Sequence, residues 1–159
     1  MHTNPTSSLP SLAPPPVAGE ARDRLLAHVA FEAVWERDLE TDALTWDGNL
    51  ESIFGYSRAE VAGHLGWWRE QVHRDDLERV EQAAIQAIKG DALGWSSEYR
   101  FRRKDGSWAW VASRCAIERD THGKARRAVG AMMDVTQLKE TESRLRLFTE
   151  QIPDRKSVV

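Results

Sequence analysis

The chain has 159 residues, a single cysteine and 25 acidic against 22 basic residues. That length suits one domain with extensions, and a core of this size folds on hydrophobic burial without disulfides or a structural metal. One thiol, Cys115, excludes an internal disulfide and a multi-cysteine zinc site, and the near balance of charge provides no field to draw nucleic acid. No apolar run approaches the ~20 residues of a membrane span, and the N-terminus lacks the apolar core of a signal peptide. A cytoplasmic location is expected, since a lone thiol suits a reducing compartment.

Five of the six prolines fall in the opening MHTNPTSSLPSLAPPP, a polar stretch without periodicity. Residues 1–19 are therefore expected to form a disordered tail. Over 20–33 the pattern turns helical, with Leu25, Val29 and Ala33 on one stripe. VWERDLETDALTW then reads as strands over 34–39 and 44–46 around the turn residues Glu40, Thr41 and Asp42. Gly55, Gly63 and Gly66 punctuate the next segment, each placed to stop a short helix. NLESIF and SRAEVAG are the helices expected there, the second with Ser57 as N-cap and Glu60 completing a capping box. A further helical turn is expected over 67–72.

The strongest helical pattern covers 75–89, where Leu77, Val80, Ala84, Ala87 and Ile88 make an apolar face and Gly90 ends it. The preceding VHRDDLERV contains the His-Arg-Asp of a protein-kinase catalytic loop. Kinase chemistry also needs a Gly-rich loop, a strand lysine, a downstream asparagine and a DFG metal ligand, none of which the chain supplies. Asp75 instead occupies an N-cap position, with Glu78 three residues on, and carboxylates are favoured at that end of a helix. A metal reading of His73, Asp75 and Asp76 lacks any further ligand cluster. After Gly90 the period changes to two. SSEYRFRRKDGSWAWVASRCAIERD contains two alternating runs joined at Lys104-Asp105-Gly106-Ser107, and ARRAVGAMMDV adds a third. The order of elements is that of an α+β fold, with one antiparallel sheet covered on one face by helices.

WERDLETDALTW, FGYSRAEVAG, VHRDD, EYRFRRKDGSWAWV and VGAMMDVT, running from Trp35 to Thr136, together resemble a PAS domain. The pattern is similar to the subgroup with "HPDD" before the long helix, Arg74 standing here in place of the proline. The resemblance implies a domain over 34–136 with a five-stranded antiparallel sheet in the order 2-1-5-4-3 and a pocket between sheet and helices. It also implies a sensory or dimerising module of bacterial signalling, attached to a histidine kinase or a cyclic-dinucleotide enzyme, with no catalysis by the domain itself. No nucleophile–base pair can be assembled from the residues either.

Strand alternation indicates which side chains face that pocket. Tyr99 and Phe101 share one face of their strand, Val111, Ser113 and Cys115 one face of the next, and Met132 the matching face of the last. Val80 and Ala84 come from the long helix. In flavin-binding relatives the ligand-contacting positions would fall on Phe101, Val111 and Met132, but these are apolar where the relatives carry amides. The reactive cysteine of the photosensory type is also missing, since Cys115 lies on a strand. Haem-binding relatives take a histidine from the long helix, which has none over 75–89; His64 and His73 precede it. Flavin, haem and metal are thus not expected. Two readings of the pocket residues remain, plain core packing or a small apolar or mixed-polarity ligand oriented by Ser113 and Tyr99. Trp108 and Trp110 fall on the opposite sheet face beside Arg100 and Arg102. The 20–33 helix or another subunit would cover them, with Trp110 suited to a cation–π contact with Arg100.

Asp134-Val135-Thr136 matches the family's exit motif, where Thr136 would cap the following helix and Asp134 would pair with a basic residue of the sheet. Beyond it Leu138, Thr141, Leu145, Phe148 and Ile152 are spaced 3, 4, 3, 4, a heptad seam along a linker helix over 137–152. A homodimer is expected from it; the alternative is a helix folded back on its own domain. FTEQIPD resembles the opening of a following PAS domain, so 153–159 is read as a tail or the start of a next domain, with an output domain beyond. Two functions stay open: a sensory and dimerisation module that passes a ligand or partner signal through the exit motif, or a ligand-free interaction scaffold using the Trp108/Trp110 face.

Overall fold

Alternating side chains place Ala109 and Val111 on one side of a strand and Trp108 and Trp110 on the other, and the burial follows suit. In the computed structural model, which describes residues 31–46 and 49–150, the elements are β1 (Glu32–Asp38), β2 (Leu44–Trp46), α1 (Leu50–Phe54), α2 (Leu65–Gln71), α3 (Arg74–Lys89), β3 (Gly94–Arg102), β4 (Trp108–Arg119), β5 (Ala125–Asp134) and α4 (Thr136–Glu150). The strands form one antiparallel sheet in the order β2-β1-β5-β4-β3. That is the order implied by the resemblance. Helices α1 to α3 lie on the face whose residues are sealed, including Phe54, Phe101, Val111, Ala128 and Met132.

Local chemistry differs from expectation in four places. Glu32 and Ala33, expected to end the flanking helix, begin β1 and pair with Met133 and Met132 of β5; residues 20–30 of that expected helix lie outside the described residues, as do 1–19 and 153–159. SRAEVAG makes a turn and no helix. The Glu60 carboxylate does accept from the Ser57 N–H at 2.9 Å, but it also pairs with Lys104, which ties the segment to the β3–β4 hairpin. Gly66 sits inside α2 instead of ending a helix. At the start of α3 the cap is His73, whose Nδ1 accepts from the Asp75 N–H at 3.1 Å. Asp75 is left exposed, and Asp76 turns inward.

That inward turn protects a vulnerable edge. β3 is the outermost strand, with a row of backbone groups open to pairing. Val72 bridges to Phe101, the His73 N–H donates to the Arg100 carbonyl at 2.9 Å, and Asp76 Oδ2 accepts the Arg100 N–H at 2.9 Å. At the other end of α3, the Arg119 guanidinium donates to the carbonyls of Ala87, Ile88 and Ala92, satisfying groups that a helix terminus leaves without partners. The helix is thus fixed at both ends, across the face where the cavity lies.

Candidate functional site

The pocket is a cavity of about 300 Å³ between the sheet and helices α2 and α3. Four indoles line it: Trp35 from β1, Trp46 from β2, Trp68 from α2 and Trp95 from β3. Trp35 reaches its place because its register partner on β5 is Gly130, where a Cβ would lie 2.5 Å from the Trp35 ring. The two neighbouring tryptophans of α2 divide their roles. Trp67 packs edge-on against Trp46, Tyr56 and Phe101 in the core. Trp68 faces the cavity and donates its Nε1–H to the Tyr99 hydroxyl at 3.2 Å. Helix α3 supplies Val80, Ala84, Ile85 and Ile88.

Polar groups occur on the floor and at the rim. Ser97 and Ser113 are register partners across β3 and β4, and both line the cavity beside Tyr99. Burial pushes the Tyr99 phenol up to about 12, against the opposing pull of hydrogen bonds from Trp68 and Ser113. At the rim, Arg37 holds Asp42 at 2.8 Å, and Arg69 of α2 holds Glu81 of α3 with a closest approach of 2.5 Å.

Of the expected pocket residues, Tyr99, Ser113, Val80 and Ala84 line this cavity. Phe101, Val111 and Met132 lie outside it, wholly buried in the closed core, with Phe101 edge-on to Phe54 at 5.2 Å. Cys115 is half-buried against that core beside Trp95, and burial raises its thiol to about 11, so it is neither a ready nucleophile nor a cavity group. The positions that would contact a flavin are therefore sealed apolar packing. No histidine lies on α3, and His73 is engaged at the helix start, capping α3 and packing at a tilt against Trp108 with ring centres 4.7 Å apart. No group of metal-binding side chains occurs among the described residues.

Sequence reasoning missed Trp35, Trp46, Trp68, Trp95 and Ser97. Trp95 and Ser97 could have been found by carrying the alternation of Tyr99 and Phe101 two steps further back. The Arg69–Glu81 pair at the rim could not, because it joins side chains of two different helices.

On the opposite sheet face, Arg100 receives Asp76 in a two-pronged ion pair, with Nε–Oδ2 and Nη2–Oδ1 both at 2.9 Å. Chiefly through these bonds Arg100 holds the Asp76 carboxyl down at about 2, although burial opposes it. The Arg100 guanidinium carbon lies 5.5 Å from the centre of the Trp110 ring, the contact expected from sequence, and Lys139 of α4 lies 4.8 Å from the same ring. Lys139 also pairs with Glu98 at 2.6 Å. Among the described residues, the cover of Trp110 is thus the base of α4. Trp108 stays 43% exposed.

The exit motif is a closed knot of bonds. Arg103, just beyond β3, donates to Asp134 at 2.8 Å and to the Thr136 hydroxyl at 3.2 Å. Thr136 Oγ1 accepts from the Trp110 N–H at 3.0 Å and donates to Asp134 Oδ1 at 2.5 Å. Asp134 Oδ1 also takes the Thr136 N–H at 3.0 Å, so Asp134 rather than Thr136 satisfies a free donor at the start of α4. Burial would raise the Asp134 carboxyl, but the Thr136 and Arg103 bonds outweigh it and the net shift is downward. Beyond the knot α4 leaves the domain, with Leu138, Leu145 and Phe148 exposed by 61, 63 and 70%. Ile152 lies outside the described residues.

The PAS fold family model matches residues 43–132. The sensor protein FixL of Bradyrhizobium diazoefficiens is 29% identical over 112 residues, covering 70% of this chain and 22% of FixL. The two-component sensor PprA of Pseudomonas aeruginosa is 30% identical over 146 residues, 86% of this chain and 15% of PprA. The chain therefore spans about a fifth or less of the length of these curated relatives. The crystal structure of a sensory box histidine kinase/response regulator from Burkholderia thailandensis superposes with a TM-score of 0.67 at 29% identity, over 82% of this chain and 96% of that one. With the strand order and the family match in agreement, the chain belongs to the PAS family and is a sensory module of the kind found in signalling proteins.

Proposed function

We propose that this module senses a small organic molecule in the cavity beneath α3 and passes its occupancy to α4, within a histidine kinase or cyclic-dinucleotide enzyme that acts as a dimer. The carrying observation is that one helix touches both sites. α3 lends five side chains to the cavity lining, while its first turn grips Arg100, which meets Trp110 and so the base of α4. A small displacement of α3 on ligand binding would be felt at Trp110 and, one residue pairing away, at the Asp134–Thr136 knot. Transmission requires that the ligand bind the two arrangements with different affinity. The domain itself performs no catalysis and carries neither flavin nor haem in this reading, supported by the sealed core around Phe101, Val111 and Met132. The second copy in the dimer lies along the 3-4-3 seam of Leu138, Thr141, Leu145 and Phe148, whose apolar members are exposed in the single chain. The cytoplasm would keep unpaired Cys115 reduced. The scaffold reading, which needs a free tryptophan face, is less well supported, because Trp110 is engaged within the chain.

Native mass spectrometry and an absorption spectrum of the purified protein test this directly. A two-chain mass that Leu145→Glu converts to one, without visible absorption, is the expected result. A visible band would overturn the assignment of no tightly held cofactor, and a single-chain mass unaffected by Leu145→Glu would overturn the seam. Asp134→Ala in the protein carrying its effector tests the exit, since an unaltered response would remove the knot from the pathway.

A further inference from the structure

We infer that the cavity takes a neutral, flat aromatic molecule of one or two rings carrying a hydroxyl or ring N–H. This deepens the sensor reading and rests on it. Four indoles form the walls, and aromatic rings reward a flat partner that stacks or meets them edge-on beyond what burial alone contributes. The volume of about 300 Å³ corresponds to roughly ten water volumes at ~30 Å³ each, the lower end of ligand pockets, which limits the occupant to a small ring system.

Charge narrows the class further. The charged residues lining the cavity are Arg37, Asp42, Arg69 and Glu81, and each arginine already holds a carboxylate. An anionic ligand would have to displace Asp42 or Glu81 from its arginine, and a cationic one would have to draw a carboxylate away. Either gives up an ion pair at the mouth of the cavity, and the ligand's own charge, once inside the apolar walls, would still lack water. A neutral ligand disturbs neither pair.

The floor explains the need for one polar group. The Tyr99 hydroxyl already accepts from Trp68 and engages Ser113. The Ser97 hydroxyl lines the same cavity and has no side-chain partner among the described residues. A ligand hydroxyl or ring N–H placed over Ser97 and Ser113 would meet that hydroxyl, while an entirely apolar ligand would leave it unsatisfied.

Calorimetric titration of the chain at neutral pH with 2-naphthol, 2-naphthoate and 1-octanol tests the class. These probes share either shape or hydroxyl but differ in charge and flatness. The expected result is that 2-naphthol binds at least about 10-fold more tightly than the other two. Ser97→Ala should weaken it by about 2- to 10-fold, and Ala84→Phe, which fills the cavity, should abolish binding, with circular dichroism unchanged in both variants. Should Ala84→Phe fail to fold, Ile88→Trp provides the same block from one turn further along α3. Octanol or naphthoate binding as tightly, and blocked in the same way, overturns the class while keeping the cavity as a ligand site. Binding of none of the three overturns the class and removes support from the sensor reading as well. Naphthol binding indifferent to Ser97→Ala overturns the role given to the floor.

Discussion

The two faces of the sheet are made from the same strands and have opposite chemistry. On the helix-covered face Tyr99, Val111 and Ser113 border indoles and aliphatic side chains, and the charged groups that reach the cavity are paired at its rim. On the other face Arg100, Glu98, Trp110 and Lys139 form a ladder of ion pairs and cation–π contacts in partial contact with water. A concave, largely apolar surface suits recognition of a small molecule. A charged, half-open one suits contacts that break and reform at low cost, because exposed ion pairs contribute little individually. The faces meet where α3 wraps the edge of β3, and Asp76 is the side chain that joins them.

Breaking that join should have the largest effect. Asp76→Ala leaves the Arg100 guanidinium and its backbone N–H without their acceptor. It is expected to cost about 2–4 kcal/mol, or on the order of 10 °C in Tm by calorimetry. The same carboxylate should appear in the pH dependence. Its folded value of about 2 lies below the ordinary 3.8, so its contribution of about 2 kcal/mol is present above pH ~4 and lost as the pH falls toward 2. Asp76→Asn should flatten that limb of the acid-unfolding curve. Next in size is Arg119→Ala, which strips the carbonyls of Ala87, Ile88 and Ala92 of their donor at the far end of α3. A loss of about 1–3 kcal/mol in urea unfolding is expected. Arg103→Ala should cost less, about 1 kcal/mol, since Arg103 and Asp134 are partly exposed. Its signature is local: hydrogen exchange of the Trp110 amide and the first turn of α4 should accelerate about 5- to 10-fold, while the cavity-side amides of β3 stay protected. Smallest is Lys139→Met, which keeps the aliphatic stem but removes the cation over Trp110 and the pair with Glu98. A change of about 0.5–1 kcal/mol is expected. A larger loss there than at Asp76 would mean that the outer face, and not the edge of β3, carries the stability of the junction.

Legibility in the sequence followed range. The alternation of Glu98 to Arg102 and Trp108 to Cys115 placed each side chain on its face, and the Lys104–Ser107 turn fixed the hairpin between them. The 3.6 periodicity of Leu77, Val80, Ala84 and Ile88 located α3 to within one residue of its start. Where a local signal had a competitor across the fold, it failed. Glu60 offered a capping box, and Lys104, 44 residues away, took part of its carboxylate. Asp75 was the cap expected from its spacing to Glu78, with Asp76 beside it as a second carboxylate at the helix start. The open edge of β3 drew Asp76 inward, and His73, packed at a tilt against Trp108, served as the cap.

The sequence by itself determined the strands, the hairpin turn between β3 and β4 and the long helix, because these depend on periodicity and turn residues that act over a few residues; the order of the strands in the sheet came from the resemblance to PAS domains. The tertiary structure decided which of the inward-facing residues enclose space and which fill it. Phe101, Val111 and Met132 share the face of Tyr99 and Ser113, yet they are wholly buried in the closed core, Phe101 against Phe54 and Trp67, while the tryptophans of four separate elements surround the gap beside them. Alternation orients a side chain toward the helices; whether it meets an atom or a void there depends on packing between residues far apart in the chain, and no local pattern records that.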